Sequence, residues 1–305
     1  MKNRKWIMLL ATLLSVTLML AACGGNGAEE AEAPAEEAGT TEEAAEATEE
    51  KGTIRIGKNN WAENVAVSNM WKILLEEKGY EVELHSADKA IVYLGVAEGD
   101  LDIGMEVWLP FTDAQYVEEY GDHFTVQDIW YEETGLGLVV PEYVDVDSIT
   151  ELNDNADLFN GQIIGIDPGS SLMQLTGEAV EAYDLDFDLV ESSDPAMMAD
   201  LGRAYSDEEP IVVTLWSPHW AFAEYDLKYL DDPEGLYGEP DDIVFITREG
   251  FEDDHAEVLQ WMNTWRMDDD SLGALMGSIE EVGDPVEGAS MWIEDNRDLI
   301  NQWFE

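Results

Sequence analysis

Cysteine and basic residues are scarce in this 305-residue chain. Cys23 is the single cysteine, which excludes a framework of disulfide bonds within the chain. Lysine and arginine number 14 against 69 aspartates and glutamates, which gives a formal net charge of -55. Nucleic acid is excluded as a partner, because phosphate binding needs clustered Lys and Arg. Carboxylates in such excess repel one another unless salt screens them, so the composition favours a halophilic source over the alternative, an alkaliphilic one.

Long apolar runs are equally scarce. The run from Trp6 to Leu20 follows three cations among the first five residues, a pattern typical of a signal peptide. It is shorter than the roughly 20 residues that a membrane-spanning helix needs. It ends in Leu-Ala-Ala-Cys, which resembles a bacterial lipobox. We therefore predict a signal peptide over residues 1–22 and lipidation of Cys23, with an ordinary secretory signal and a chance cysteine as the alternative.

Residues 24–52 lack aromatic and large aliphatic side chains and consist mostly of Ala, Glu, Thr and Gly. Such a segment has no apolar surface with which to form a core. Together with Cys23, we predict an acidic, disordered tether over residues 23–52. A lipid on Cys23 would then hold the remaining chain, as a membrane-anchored protein, at the extracellular face of the cell membrane.

Residues 53–305 alternate strand-like and helix-like runs, which predicts an α/β fold with mainly parallel sheets flanked by helices. The order of the runs predicts two lobes, one formed by residues 53–140 and 242–305 and the other by residues 141–241. Two crossing segments, near Leu138 and Val244, would join them. A ligand cleft is expected between the lobes, at the carboxyl ends of the strands.

Three of the eleven tryptophans occupy positions where a strand gives way to a loop, namely Trp61, Trp108 and Trp216. The others, such as those on predicted helices, are expected to pack in the core. A quaternary ammonium group carries a charge but no N–H, so hydrogen bonds cannot recognise it, whereas the negative faces of indole rings attract it. The three tryptophans are therefore candidates for an aromatic cage, and a place at the rim of the core is the alternative for each.

The turn over residues 167–172, Asp-Pro-Gly-Ser-Ser-Leu, precedes a predicted helix. Backbone N–H groups are free at a helix start, and the helix dipole adds a partial positive charge there. This turn could therefore bind a ligand's carboxylate. An ordinary capped helix start is the alternative.

Five separated motifs resemble the glycine betaine and proline betaine binding proteins of ABC transporters. They are Glu106–Pro110, Gly165–Ser170, Pro210–Trp220, Tyr229–Pro233 and Ile246–Phe251. The resemblance implies a two-lobed periplasmic-binding-protein fold of type II, in which three tryptophans, here Trp61, Trp108 and Trp216, surround the cation. It also implies main-chain amides of Ser171 and Leu172 at the carboxylate, an ABC permease as partner, no cofactor or metal, no enzymatic activity and a monomeric soluble domain.

The resemblance has departures that bear on the ligand. Some relatives place a carboxylate-binding histidine five residues after the Trp of the Trp-Leu-Pro motif, where this chain has Asp113. His219 is a candidate substitute donor, and a locally satisfied loop histidine is the alternative. Glu63 lies two positions after Trp61, where choline-binding relatives place an acidic residue that faces the ligand.

Two alternatives to a glycine betaine receptor follow. A carboxylate at Glu63 would also suit choline or carnitine, so a choline or carnitine receptor of the same family is the first alternative. The second is a secreted carbohydrate-active enzyme, because sugars stack on tryptophan and paired carboxylates supply acid and base. The sequence shows no nucleophile elbow, metal-ligand cluster or phosphate-binding loop that would support the enzyme.

Overall fold

Ten strands and ten α-helices make up residues 51–305, the part of the chain that the computed structural model describes. The predicted signal peptide, Cys23 and nearly all of the tether lie outside the described residues. The strands are β1 Thr53–Lys58, β2 Glu81–Ser86, β3 Ile103–Leu109, β4 Phe124–Tyr131, β5 Gly135–Pro141, β6 Gln162–Ile164, β7 Asp188–Val190, β8 Val213–Ser217, β9 Leu227–Tyr229 and β10 Asp242–Arg248.

The helices alternate with these strands in the first part of the chain and follow one another at its end. They are α1 Ala62–Glu77, α2 Lys89–Glu98, α3 Ala114–Tyr120, α4 Ser171–Ala182, α5 Asp194–Ser206, α6 Ala221–Glu224, α7 Phe251–Thr264, α8 Asp269–Val282, α9 Pro285–Asp295 and α10 Arg297–Trp303. Short 3₁₀ helices occupy Gly121–His123, Ile149–Glu151 and Asn153–Phe159. No helix among residues 51–305 is both long and apolar enough to cross a membrane.

The strands form two five-stranded sheets, in the orders β2-β1-β3-β10-β4 and β7-β6-β8-β5-β9. Each sheet has two parallel pairings, at β2-β1-β3 and at β7-β6-β8. Each also has two antiparallel pairings, because β10 and β5 run against both of their neighbours. Four of the five strands in each sheet therefore run in one direction, in agreement with the expected mainly parallel sheets, and a single reversed strand, β10 or β5, lies between two of the others.

The chain passes between the two sheets at residues 132–134 and again at residues 230–241. These crossing segments are bonded to each other: the Thr134 N–H donates to the Asp241 carbonyl at 2.8 Å, and the Asp241 N–H donates to Thr134 Oγ1 at 3.2 Å. The predicted boundary between the lobes, at residues 140 and 141, stays a prediction. The strand Gly135–Pro141, which precedes this boundary, pairs with β8 and β9 and so belongs to the second sheet.

A close approach of α2 to the first sheet positions one wall of the cleft. Gly57 lies in β1, and a Cβ added there would come within 2.8 Å of Val92 Cγ1 in α2 and 2.7 Å of Leu101 Cδ1. A larger residue would push the helix away from the sheet. The bare glycine therefore lets α2 settle on the sheet with its first residue, Lys89, near the carboxyl ends of β1 and β3.

Candidate ligand-binding site

One cavity between the two sheets is lined by all three of the tryptophans at strand ends. Trp61 directly precedes α1, Trp108 lies in β3 and Trp216 lies in β8, so two come from the first sheet's side and one from the second. Their side chains are 7%, 3% and 3% exposed. Of the residues predicted as site or alternative site residues, Glu63, Ser171 and Leu172 line the same cavity.

The indole rings are held at defined angles to one another. The ring centroids of Trp61 and Trp216 are 6.5 Å apart, with an interplanar angle of 63°. Trp61 Nε1 donates to Asp167 Oδ2 at 3.2 Å, a contact that joins the start of α1 to the turn before α4. Trp108 Nε1 donates to Glu106 Oε1 at 2.7 Å. With their N–H groups engaged in this way, Trp61 and Trp108 keep fixed ring orientations in the cavity wall.

Two buried carboxyl groups, those of Glu63 and Glu106, also line this cavity. Glu63 is fully buried, and neither of its carboxyl oxygens has a hydrogen-bond partner among the described residues. Burial raises the pKa of Glu63 well above its usual value, and the neighbouring Glu106 raises this pKa further. Burial also raises the pKa of Glu106, against the opposing influence of Lys89. An unsatisfied buried carboxyl group is expensive, so this pair marks a place where a cation would be stabilised.

The start of α4 brings backbone donors to the cavity. Ser170 caps this helix, because its Oγ accepts from the Met173 N–H at 3.2 Å, and its carbonyl accepts from the Gln174 N–H at 3.3 Å. Within residues 51–305, the N–H groups of Ser171 and Leu172 make no hydrogen bond to the protein. These are the two amides expected at a carboxylate, and an anion is favoured there by the helix dipole.

Asp113 lies beside the cavity, and its carboxylate is held entirely by the protein. It is fully buried and accepts hydrogen bonds from the Trp108 N–H at 2.9 Å and Ser171 Oγ at 3.0 Å. Tyr93 Oη donates to it at 3.1 Å, and Lys89 Nζ forms an ion pair with it at 2.6 Å. Asp113 is not among the residues that line the cavity, so its charge is directed into this network.

His219 packs behind the cage. Its ring centroid is 4.8 Å from that of Trp216, nearly perpendicular at 85°, and it does not line the cavity. Its Nδ1 accepts from the Ala221 N–H at 3.0 Å, which leaves Nε2 to face Asp194 Oδ1 at 3.3 Å. The imidazole is thus satisfied locally and supports Trp216 from behind.

Sequence reasoning missed two charged residues that line the cavity, Lys89 and Glu106. Each carried a signal. Glu106 interrupts an otherwise apolar strand, Ile103–Leu109, and Lys89 is one of only ten cations after residue 52 and begins an apolar helix. Among residues 51–305, no group of three or more His, Cys, Asp and Glu side chains is arranged to hold a metal ion.

Known substrate-binding proteins resemble this chain in sequence. The family described as the substrate binding domain of the ABC-type glycine betaine transport system matches residues 52–295. The glycine betaine/carnitine transport binding protein of Listeria monocytogenes is 37% identical over 155 residues, which cover 50% of this chain and 52% of that protein. The glycine betaine/proline betaine-binding periplasmic protein of Salmonella typhimurium is 26% identical over 162 residues, 48% of this chain and 49% of that one. The chain spans about half the length of these curated relatives.

Solved structures share the fold over most of the chain. Lactococcal OpuAC, in its closed-liganded conformation with glycine betaine, superposes with a TM-score of 0.78 at 33% identity and covers 83% of this chain and 100% of that one. A glycine betaine/L-proline-binding protein from Borrelia burgdorferi gives 0.77 at 33% identity, with 82% and 96% covered. An ABC-transporter choline binding protein in complex with choline gives 0.76 at 25% identity, with 82% and 91% covered. The predicted two-lobed periplasmic-binding-protein fold is confirmed.

Proposed function

The chain belongs to the family of substrate-binding domains of ABC-type glycine betaine transport systems, and on this premise we propose that it captures glycine betaine in the cavity between its two sheets. Members of this family bind substrates for transporters, so the chain is a binding protein and not an enzyme. The observation that carries the proposal is the convergence of Trp61, Trp108 and Trp216, with two buried carboxyl groups, on one cavity.

The cage would hold the trimethylammonium end. Indole faces attract a cation that cannot donate hydrogen bonds, and a desolvated contact of this kind contributes about 2 kcal/mol or more. The rings also remove the methyl groups from water. A cation bound in the cage would favour the ionised form of Glu63 beside it, and the negative charge formed there would stabilise the cation in turn.

The start of α4 would hold the carboxylate end. Ser171 and Leu172 line this side of the cavity, and their N–H groups have no acceptor among the described residues. Two amides at a helix start form charge-assisted hydrogen bonds to a carboxylate. A betaine is a zwitterion whose two charged groups are separated by only a few bonds. The cage can therefore bind its ammonium group while the helix start binds its carboxylate.

Ligand binding would also close the two lobes on each other. The cage draws Trp61 and Trp108 from one side of the cleft and Trp216 and Ser171 from the other, so a bound ligand bridges both. The crossing segments at Thr134 and Asp241 are the only backbone links between the sheets in the described residues, and they would act as the hinge. The closed form would then deliver the betaine to an ABC permease, and the imported betaine would serve in osmoprotection.

The location proposed from the sequence fits this role. A signal peptide, a lipid on Cys23 and the acidic tether would keep the receptor at the extracellular face of the membrane, within reach of its permease. The family is that of ABC transport systems, which supports a permease as the partner. Mass spectrometry of the cell-associated protein would show a diacylated or triacylated Cys23, and an unmodified residue 23 in the mature protein would contradict this part of the proposal.

A choline receptor is the second candidate, and the buried pair of Glu63 and Glu106 favours it. Choline carries the same trimethylammonium group but a hydroxyl in place of the carboxylate. A net cation gains more from a nearby carboxylate than a zwitterion does. The two candidates differ in which end of the cavity supplies the affinity.

Titration calorimetry of the purified protein tests the proposal. We expect glycine betaine to bind and N,N-dimethylglycine to bind at least about tenfold more weakly, because loss of one methyl group replaces an N–CH₃ with a hydrated N–H. Choline in a parallel titration ranks the two candidates. Binding of an oligosaccharide, or no heat with any quaternary ammonium compound, would overturn the proposal.

A further inference from the structure

Lys89 is a buried ammonium group in the wall of the proposed binding cavity. It is 4% exposed and lines the cavity beside Trp61 and Ser171. Its Nζ lies 5.1 Å from the centroid of the Trp61 ring and 2.6 Å from Asp113 Oδ2. Contacts within the protein alone hold the ammonium group in this position, so the position of this buried charge needs a physical explanation.

The position is unfavourable for a lysine on stability grounds alone. Burial removes the hydration of the ammonium group. Lys89 is also the first residue of α2, where the helix dipole is positive and a cation is disfavoured. An apolar residue would avoid both penalties. The ion pair with Asp113 offsets these penalties without explaining why the charges are there.

Asp113 does not depend on Lys89 for hydrogen bonds. Three neutral donors, the Trp108 N–H, Tyr93 Oη and Ser171 Oγ, already hold its two oxygens. An ammonium group has three N–H donors, and within residues 51–305 the ion pair with Asp113 is the one polar contact of Lys89 Nζ. Donors therefore remain for a ligand in the cavity.

The ion pair connects the Trp61 side of the cavity to the carboxylate end proposed above. Asp113 bonds to Ser171 Oγ, so Lys89, Asp113 and the start of α4 form one connected group. The Asp113 carboxylate alone would repel a ligand carboxylate at this end, and the Lys89 ammonium offsets that charge.

We propose that Lys89 is the specificity-determining residue for the anionic end of the ligand, with Asp113 as the residue that positions it. The proposal rests on the proposed function, because it assigns the carboxylate subsite of the same cavity. Lys89 donates to the ligand carboxylate beside the Ser171 and Leu172 amides. A ligand with a carboxylate is thereby favoured over one with a hydroxyl, such as choline.

The test removes both charges of the pair together, because Lys89→Met alone would leave Asp113 buried without its cation. Glycine betaine and choline are titrated into the wild-type protein and into the Lys89→Met/Asp113→Asn variant. We expect the variant to bind betaine at least about tenfold more weakly and to bind choline within about twofold of wild type. Circular dichroism confirms that the variant is folded, and Lys89→Gln/Asp113→Asn replaces it if it is not.

The outcomes separate this proposal from the one on which it rests. Wild-type protein that binds neither ligand overturns the proposed function. Wild-type protein that binds betaine, together with a folded variant that binds betaine equally well, overturns the role of Lys89 alone. An equal loss of betaine and choline affinity in the variant also overturns it, because that result reports a structural role for the ion pair.

Discussion

Two groups of tryptophans in this molecule are equally buried and differ in what they contact. Trp71, Trp130 and Trp265 pack on one another: the rings of Trp130 and Trp265 stack at 4.4 Å and 10°, and those of Trp71 and Trp265 meet at 5.6 Å. The group of Trp61, Trp108 and Trp216 instead lines a cavity between two sheets, next to carboxyl groups. Burial therefore does not distinguish a binding tryptophan from a packing one, whereas the surrounding polar groups do.

The largest effect is expected from breaking the packed group. Trp265→Ala removes a fully buried indole that contacts two other indoles, and we expect a loss of about 3–5 kcal/mol in the free energy of unfolding. Chemical denaturation measures this loss. The variant that remains folded should bind glycine betaine as wild type does. A stability within 1 kcal/mol of wild type, roughly, would show that the cluster repacks and is not a structural unit.

The matched substitution in the cavity, Trp216→Ala, should affect ligand binding more than stability. We expect Trp216→Ala to weaken glycine betaine binding at least about tenfold, since one cation–π contact of about 2 kcal/mol is lost. Its stability should fall by less than that of Trp265→Ala, because one side of the ring faces the cavity. Titration calorimetry and denaturation of both variants give a two-by-two comparison. An unchanged dissociation constant in Trp216→Ala would remove this residue from the site.

A smaller effect should come from the titration of the buried carboxyl pair. The pKa of Glu63 is raised by burial and by Glu106, so protonation is favoured in the empty site. A bound cation favours the ionised form, and choline should therefore bind more tightly as pH rises through the raised pKa, by less than about tenfold between pH 5 and 8. Glu63→Gln should flatten this dependence. An equally steep dependence in the variant would assign it to another group.

A rise in pH should strengthen choline binding through Glu63 but lower the free energy of unfolding through the same carboxyl group. An acid whose pKa is higher in the folded state stabilises the fold below its ordinary pKa of about 4.3, and this contribution is lost as pH rises through the raised value. Glu63→Gln should therefore be more stable than wild type at about pH 8 and close to it at about pH 4. Thermal unfolding at the two pH values measures the difference. The pair thus exchanges stability for cation binding, which the packed tryptophan group does not do.

The sequence predicted most of this fold because its signals are local. Helical spacing and a terminal glycine marked α1, and apolar runs bounded by turn residues marked β1, β6 and β8. The antiparallel β4, Phe124–Tyr131, was not predicted, because its exposed positions dilute the apolar pattern. The one reversed strand of each sheet, β10 and β5, was not predicted, since strand direction depends on how the chain returns to the sheet and not on the composition of any one segment.

The site was predictable in part for the same reason. Tryptophans at strand ends and a helix start can be read from one stretch of sequence each. The pairing of Lys89 with Asp113 could not, because it joins residues 24 positions apart and depends on how closely α2 approaches β1. The contacts of the Asp113 carboxylate could not be predicted from the sequence either. They depend on tertiary packing, which places three donors and an ammonium group around it.

The smallest expected effect is that of salt on betaine affinity, which compares the charged outer surface with the shielded cavity. A formal charge of -55 makes the stability of the whole molecule sensitive to ionic strength, because salt screens repulsion between exposed carboxylates. The cavity is shielded, and glycine betaine has no net charge, so its dissociation constant should change by less than about twofold between 0.1 and 1 M NaCl. The unfolding midpoint should rise over the same range. A betaine affinity that follows the salt dependence of stability would mean that binding is coupled to the compactness of the whole chain, and the separation of surface from cavity would fail.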